Sequence, residues 1–186
     1  MLALIIIVVI LVVLGLMLMT TYNRLVGLRQ NANQAFADID VQLKQRQDLI
    51  PNLVETVKGY AAHESGTLEA VTAARAAAAG ATSVQDRVQA ENALTGALRQ
   101  LFAVAEAYPD LKANTGFVQL QGELSDIENK LAAARRFFNN AVSEYNSSIQ
   151  QFPAVLIAGA MGFVQRTFFD LGENRAAAEA APQVKF

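Results

Sequence analysis

The chain begins with an unbroken apolar run, Leu2 to Met19, that has no polar position on any face. As a helix rising ~1.5 Å per residue it reaches roughly 27 Å, close to the ~30 Å hydrocarbon core of a bilayer. A signal peptide would need a positive segment before the run, a shorter apolar core and a small-x-small cleavage site. No Lys or Arg precedes Leu2, and Leu18-Met19-Thr20-Thr21-Tyr22 offers no such site. A buried core helix is the competing reading, but this segment has no polar face at all. The pattern therefore predicts a transmembrane anchor over 1–21, with Leu2, Leu4, Ile5, Ile6, Val9, Leu11, Leu14 and Leu18 among its apolar positions. Arg24 and Arg29 follow the run and only the α-amino group precedes it. The positive-inside rule then puts the rest of the chain in the cytoplasm and the N-terminus outside, in a single-pass topology.

Past Tyr22 the period becomes amphipathic. Leu25, Leu28, Ala32, Phe36, Ile39, Leu43, Ile50, Leu53 and Val57 recur mostly at three- and four-residue steps, the spacing of one helical stripe. Nothing between Thr20 and Asn31 breaks a helix, so the anchor is expected to run on as one rod. The helical pattern extends to about Gly80, with a kink at Pro51, weak points at Gly59 and Gly66, and a glycine stop after the Ala73–Ala79 run. Thr82 with Gln85 reads as a capping box for a second helix carrying Val88, Leu94, Leu98, Leu101, Ala105 and Tyr108. Pro109 ends that helix in a Tyr108-Pro109-Asp110 turn, and Asn114 or Thr115 caps the next. The third helix has the most regular pattern: Phe117, Leu120, Leu124, Ile127, Leu131, Phe138 and Tyr145 lie on a heptad seam of the coiled-coil kind. Such a helix needs partners to cover its stripe.

Pro153 opens an apolar segment too short to span a bilayer before Gln165-Arg166. It is expected as a helix over 153–171. Either it packs on the bundle, or it is an interfacial or inter-subunit helix whose small residues Ala154, Ala158 and Gly162, beside Phe163, recur every fourth position. Residues 172–186 read as an Ala-rich flexible tail. The expected fold is all-α: a transmembrane helix continuing into an elongated antiparallel helical bundle over 22–171.

Composition narrows the chemistry. Lys and Arg number 15 against 17 Asp and Glu, for a net charge of −2, and they are scattered, so no basic face for nucleic acid is expected. The absence of Cys excludes disulfides, thiolate metal sites and a Cys nucleophile. His63 stands alone; Glu64 and Glu69 near it do not complete a metal set. No nucleophile elbow or phosphate-cradling glycine loop is present. Glu128, Arg135, Arg136 and Asn139 form the most concentrated polar set, readable as a site for a ligand or partner, or as interhelical hydrogen bonding that fixes register. Asn52, Glu55 and Lys58 allow the same two readings. No catalytic, cofactor-binding or metal residue is expected, and the chain is not expected to be an enzyme.

Several stretches resemble the LemA family of bacterial membrane proteins. They are Tyr22-Asn23-Arg24-Leu25-Val26, Leu49-Ile50-Pro51-Asn52-Leu53-Val54-Glu55, Val57-Lys58-Gly59-Tyr60, His63-Glu64, Ala74-Arg75, Tyr108-Pro109-Asp110-Leu111-Lys112-Ala113-Asn114, Phe117-Val118-Gln119-Leu120-Gln121, Glu128-Asn129, Ala134-Arg135-Arg136-Phe137, Val142, Tyr145-Asn146 and Phe152-Pro153. They fall in order across most of 22–153. The chain departs at Phe138-Asn139-Asn140, where the family more often has Tyr-Asn-Asp. The resemblance implies an antiparallel bundle behind one membrane anchor and no settled reaction. It also implies, by association only, roles in building internal membranes or in company with membrane proteases and other cell-envelope proteins. The expected function is a membrane-anchored, self-associating scaffold that organises or shapes the bilayer. The alternative is a monomeric tethered adaptor for a membrane protease or signalling partner. The expected partners are the lipid bilayer, further copies of the chain and an unidentified membrane protein.

Overall fold

The apolar run and the amphipathic stripe after it form one continuous helix, α1 (Leu2–Lys58), in the computed structural model of the chain, which describes residues 1–169. At the end of the apolar run the hydroxyls of Thr20 and Thr21 fold back and donate to the Met17 carbonyl at 3.0 and 2.7 Å, which satisfies them within the helix itself. Pro51 sits inside α1 without ending it. The stop comes at Lys58, well before the expected Gly80. Gly59 is a poor helix residue, and the amides of Tyr60 and Ala61 both turn back to the Val57 carbonyl, at 3.0 and 2.8 Å. The chain reverses there and continues as α2 (Ser65–Gly80), α3 (Val84–Ala105), the single turn α4 (Pro109–Lys112) and α5 (Thr115–Gln150). There is no strand among the described residues.

Local chemistry explains these ends. The cap of α3 is Ser83 rather than Thr82: its Oγ accepts the Asp86 amide at 3.0 Å. Of the two candidate caps for α5 the chain uses Asn114, whose Oδ1 accepts the Phe117 amide at 2.9 Å. Pro109 occupies the first turn of α4, where its missing N–H costs nothing.

The segment expected as a helix over 153–171 is not one in its described part. A 3-10 turn at Ala154–Leu156 leads into further turns and then, from Phe163, into non-helical chain. Gly162 takes φ 73°, a left-handed conformation that glycine adopts freely and that a right-handed helix cannot contain, so no helix runs through it. The expected tail at 172–186, like 170 and 171, lies outside the described residues.

The chain divides into two compact units. A central unit holds residues 40–132. Its core joins Ile50, Leu53 and Val57 of α1, Leu68, Val71 and Ala78 of α2, Leu94, Leu98, Leu101 and Ala105 of α3, Leu111, and Phe117 and Leu124 of α5. Phe102 meets Phe117 edge-on, with ring centroids 6.2 Å apart. A terminal unit joins residues 1–39 to 133–168. In it Phe36 packs on Phe138 at 5.5 Å, and Leu25, Tyr145, Ile149, Ala154, Ala158 and Phe163 form a second core. The α5 seam is covered by its own chain: Phe117, Leu124, Ile127, Leu131, Phe138 and Tyr145 are buried and Leu120 partly so.

Burial predicts the cost of truncation. Leu101→Ala, at a fully buried position, is expected to lower stability by about 2–5 kcal/mol. Val118→Ala, on the exposed side of α5, is expected to change it by no more than about 0.5 kcal/mol. Denaturant unfolding of the full-length protein in detergent, followed by circular dichroism, measures both.

Candidate functional site

Two helices of the central unit carry a charge where their stripes call for an apolar residue. On α1 the buried positions Ile39, Leu43, Ile50, Leu53 and Val57 leave a place at Arg46. On α3 the series Leu94, Leu98, Leu101 and Ala105 extends back one step to Glu91. These two positions face each other. Arg46 Nη1 donates to Glu91 Oε2 at 3.0 Å, with side-chain exposures of 5% and 2%. Arg46 Nη2 donates to Thr95 Oγ1 at 3.0 Å and lies 3.4 Å from Glu128 Oε2 of α5, which is 45% exposed. A guanidinium or a carboxylate taken out of water alone is very costly, so each requires the other. The network opens to solvent through a cleft of about 460 Å³, lined by Thr95, Arg99, Phe102, Gln121, Ser125 and Glu128 among others. The Arg46 donors are already turned to carboxylates and a hydroxyl. The arrangement ties α1, α3 and α5 together.

A second polar contact repairs the helix at Pro51. Proline has no N–H to give to the carbonyl four residues back, which here belongs to Gln47, a buried residue. A buried carbonyl left without a donor is unfavourable. Arg75 of α2 supplies the donor: its Nε reaches the Gln47 oxygen at 2.7 Å. Nearby, Arg87 of α3 pairs with Asp40 of α1 and donates from Nε to the Ala81 carbonyl at 3.2 Å.

The third set lies where the 59–64 reversal meets the 106–114 reversal. Tyr108 donates its hydroxyl to Glu64 Oε1 at 3.1 Å, and Asn114 Nδ2 donates to the Tyr60 hydroxyl at 3.0 Å. Asn114 thus caps α5 and ties down Tyr60 with one side chain. The Tyr108 phenol is raised above its ordinary value of 10.0, first because its proton is held by Glu64, then by burial and the carboxylate charge.

The residues of the expected polar set all lie on α5. Glu128 joins the Arg46 network of the central unit, whereas Arg135, Arg136 and Asn139 belong to the terminal unit. Arg136 is exposed; Arg135 and Asn139 are partly buried. Asn52 and His63 are exposed, and Glu55–Lys58 is an exposed pair at 3.8 Å, of a kind that contributes little. Among the described residues no group of three His, Cys, Asp or Glu could hold a metal. Ala154, Ala158 and Phe163 face the terminal unit's own core, while Gly162 is exposed. Sequence reasoning missed Arg46, Glu91 and the Arg75 contact. Asn146, farther along α5, clamps Arg166 with its amide, donating to its carbonyl and accepting its N–H, both at 2.8 Å. The anchor residues Leu2, Leu4, Ile5, Ile6, Val9, Leu11, Leu14 and Leu18 are exposed, in a stretch long and apolar enough to cross a membrane.

Two outcomes follow from this geometry. Glu91→Ala is expected to destabilise the protein by about 3–5 kcal/mol, because it strands a buried guanidinium. The double change Arg46→Met with Glu91→Leu is expected to restore most of that loss, read by comparing the thermal unfolding of the two variants with that of the parent. For Tyr108, whose folded-state pKa is raised, both states are neutral below pH 10 and its contribution is fully present; above that the unfolded chain ionises first and the contribution is lost. Tyr108→Phe is therefore expected to remove part of the stability loss seen as pH rises through and beyond about 10, measured as unfolding midpoint against pH.

Known proteins similar to this chain point the same way. A magnetosome protein MamQ of Magnetospirillum gryphiswaldense is 27% identical over 178 residues, covering 82% of this chain and 65% of its own length. Magnetosome protein MamQ 1 of Paramagnetospirillum magneticum is 25% identical with the same coverage, so the chain spans 65% of the length of these relatives. Protein LemA of Metamycoplasma hominis is 26% identical over 155 residues, 81% of this chain and 69% of its own. The sequence model of the LemA family matches residues 35–186, most of the helical region just described, and the chain belongs to the LemA family.

Proposed function

We propose that the protein is a membrane-anchored, non-enzymatic helical scaffold whose copies associate at the bilayer and organise it. The supporting observation is α1 itself. Its first 20 residues are almost all exposed and apolar, and the same helix continues, without a break, into the cores of the folded units. An exposed apolar helix of that length is stable in hydrocarbon, where its backbone bonds are all internal. The polar groups that could have served chemistry, Arg46, Glu91, Arg75, Asp40 and Arg87, are bound to one another or to backbone. What the molecule offers outward is surface. Holding many copies in one bilayer raises their effective concentration, so weak lateral contacts suffice for assembly. Relatives that are magnetosome proteins agree with a role in organising membranes.

Single-particle mass measurement of the full-length protein in lipid nanodiscs of increasing size is expected to give several copies per disc at high loading. A strict single copy at every loading would overturn the scaffold reading. A second reading, an adaptor for a membrane protein, is favoured by one observation: Arg136 and Phe137 lie side by side on the outside of α5, with Phe137 51% exposed. Exposed Phe and Arg are enriched where proteins bind proteins. In that case Arg136→Glu abolishes partner capture while leaving the unfolding temperature unchanged.

A further inference from the structure

The terminal unit carries an apolar surface that its own fold does not cover. In the turns after α5, Phe152 is 73% exposed, Leu156 69% and Val164 70%, and Val155 and Met161 are about half exposed. Between them Ala154, Ala158 and Phe163 point the other way, into the core with Leu25, Tyr145 and Ile149. The segment is apolar on both sides, an arrangement that water disfavours.

Its position says what covers the outer side. Phe163 packs edge-on against Tyr22, with ring centroids 5.7 Å apart, and the Arg29 guanidinium lies over the same ring at 5.0 Å. Tyr22 is three residues past Met19, the last residue of the apolar run, a rise of only about 4.5 Å. The interfacial layer on each side of the hydrocarbon is roughly 5–7 Å deep, and it is where Tyr side chains concentrate. Contact with Tyr22 therefore puts the 152–164 turns at the level of the lipid headgroups whenever α1 spans the bilayer.

Two further properties suit that environment. Many of the segment's backbone donors are bonded locally: Val155 bonds to Gln151, Ile157 and Ala158 to Ala154, Met161 to Ile157 and Phe163 to Ala158, at 2.8–3.0 Å. Unpaired backbone groups would bar it from an apolar layer. The charges are also of one sign. In residues 1–37 and 145–169 the only charged side chains are Arg24, Arg29 and Arg166. Cations at a headgroup surface are attracted to anionic lipid, and a carboxylate there would be repelled.

We propose that residues 152–164 form a second membrane contact that dips into the interfacial layer beside α1 without crossing it, with Phe152, Val155, Leu156, Met161 and Val164 in contact with lipid. The protein would then rest on its membrane through a helix and a loop together. This goes beyond the scaffold reading and depends only on α1 being embedded.

The chain has no Trp, so a single introduced Trp reports its own surroundings. Full-length Leu156→Trp, Leu11→Trp and Phe137→Trp are reconstituted in phosphatidylcholine–phosphatidylglycerol vesicles, with and without bromine near the top of the acyl chains. The expected result is bromine quenching and blue-shifted emission at positions 11 and 156, and neither at position 137, which is exposed but twelve residues up α5 from Ile149. Quenching at 11 without quenching at 156 would overturn the loop contact and leave the anchor standing. No quenching at either would overturn both. A blue shift at 156 without quenching would assign the surface to a second copy of the chain and overturn lipid contact. Val164→Trp repeats the measurement from the far end of the segment, with circular dichroism confirming that each variant keeps its helices.

Discussion

A full positive charge sits inside the central unit, and the surrounding helices are arranged to make that tolerable. Arg46 can be buried only if Glu91 lies within hydrogen-bonding distance, which sets α3 against α1. Glu128 and Thr95 then complete the guanidinium's surroundings, which draws in α5. A purely apolar interface slides with little loss, because hydrophobic contact is non-directional. A buried ion pair has one geometry. The pair therefore acts on which packing is chosen more than on how strongly it holds, a role buried polar groups are known to take in helical assemblies.

The same economy recurs at the end of the central unit, where Tyr60, Glu64, Tyr108 and Asn114 lock two chain reversals to each other, and in the terminal unit, where Asn146 holds the returning chain against α5. These residues lie in the stretches by which the sequence resembles its family. Their work here is architectural: they hold reversals, caps and helix contacts in place. The large exposed apolar side chains, by contrast, gather on α1 and around Leu156. That division fits a protein acting by contact with membranes and other molecules.

Much of the fold was legible from apolar spacing. The apolar N-terminal run, the break at Pro109, the α5 seam and the all-helical class all follow from periodicity and from a few caps and prolines. The α1–α2 reversal was less visible, because Gly59 weakens a helix without saying whether it ends. The loop after Pro153 was misread as a helix because small and apolar residues at four-residue spacing fit both, and a glycine such as Gly162 can take a left-handed turn without any neighbouring residue announcing it. The Arg46–Glu91 pair did leave a trace. Each residue occupies a gap in an otherwise regular apolar stripe, and the two gaps carry opposite charge. Matching them requires knowing that α1 faces α3, which one sequence read along its length does not say.

The Gln47 carbonyl has a consequence for how this sequence can change over time. Its acceptor is open to Arg75 only because Pro51 offers no amide. An ordinary residue at position 51 would close the helical bond from within and compete with Arg75 for the same oxygen. Loss of Arg75 with Pro51 in place would leave a buried acceptor empty. The order of substitution therefore matters: a lineage that first replaces the proline can afterwards relax the arginine, whereas one that loses the arginine first must pass through a weakened protein.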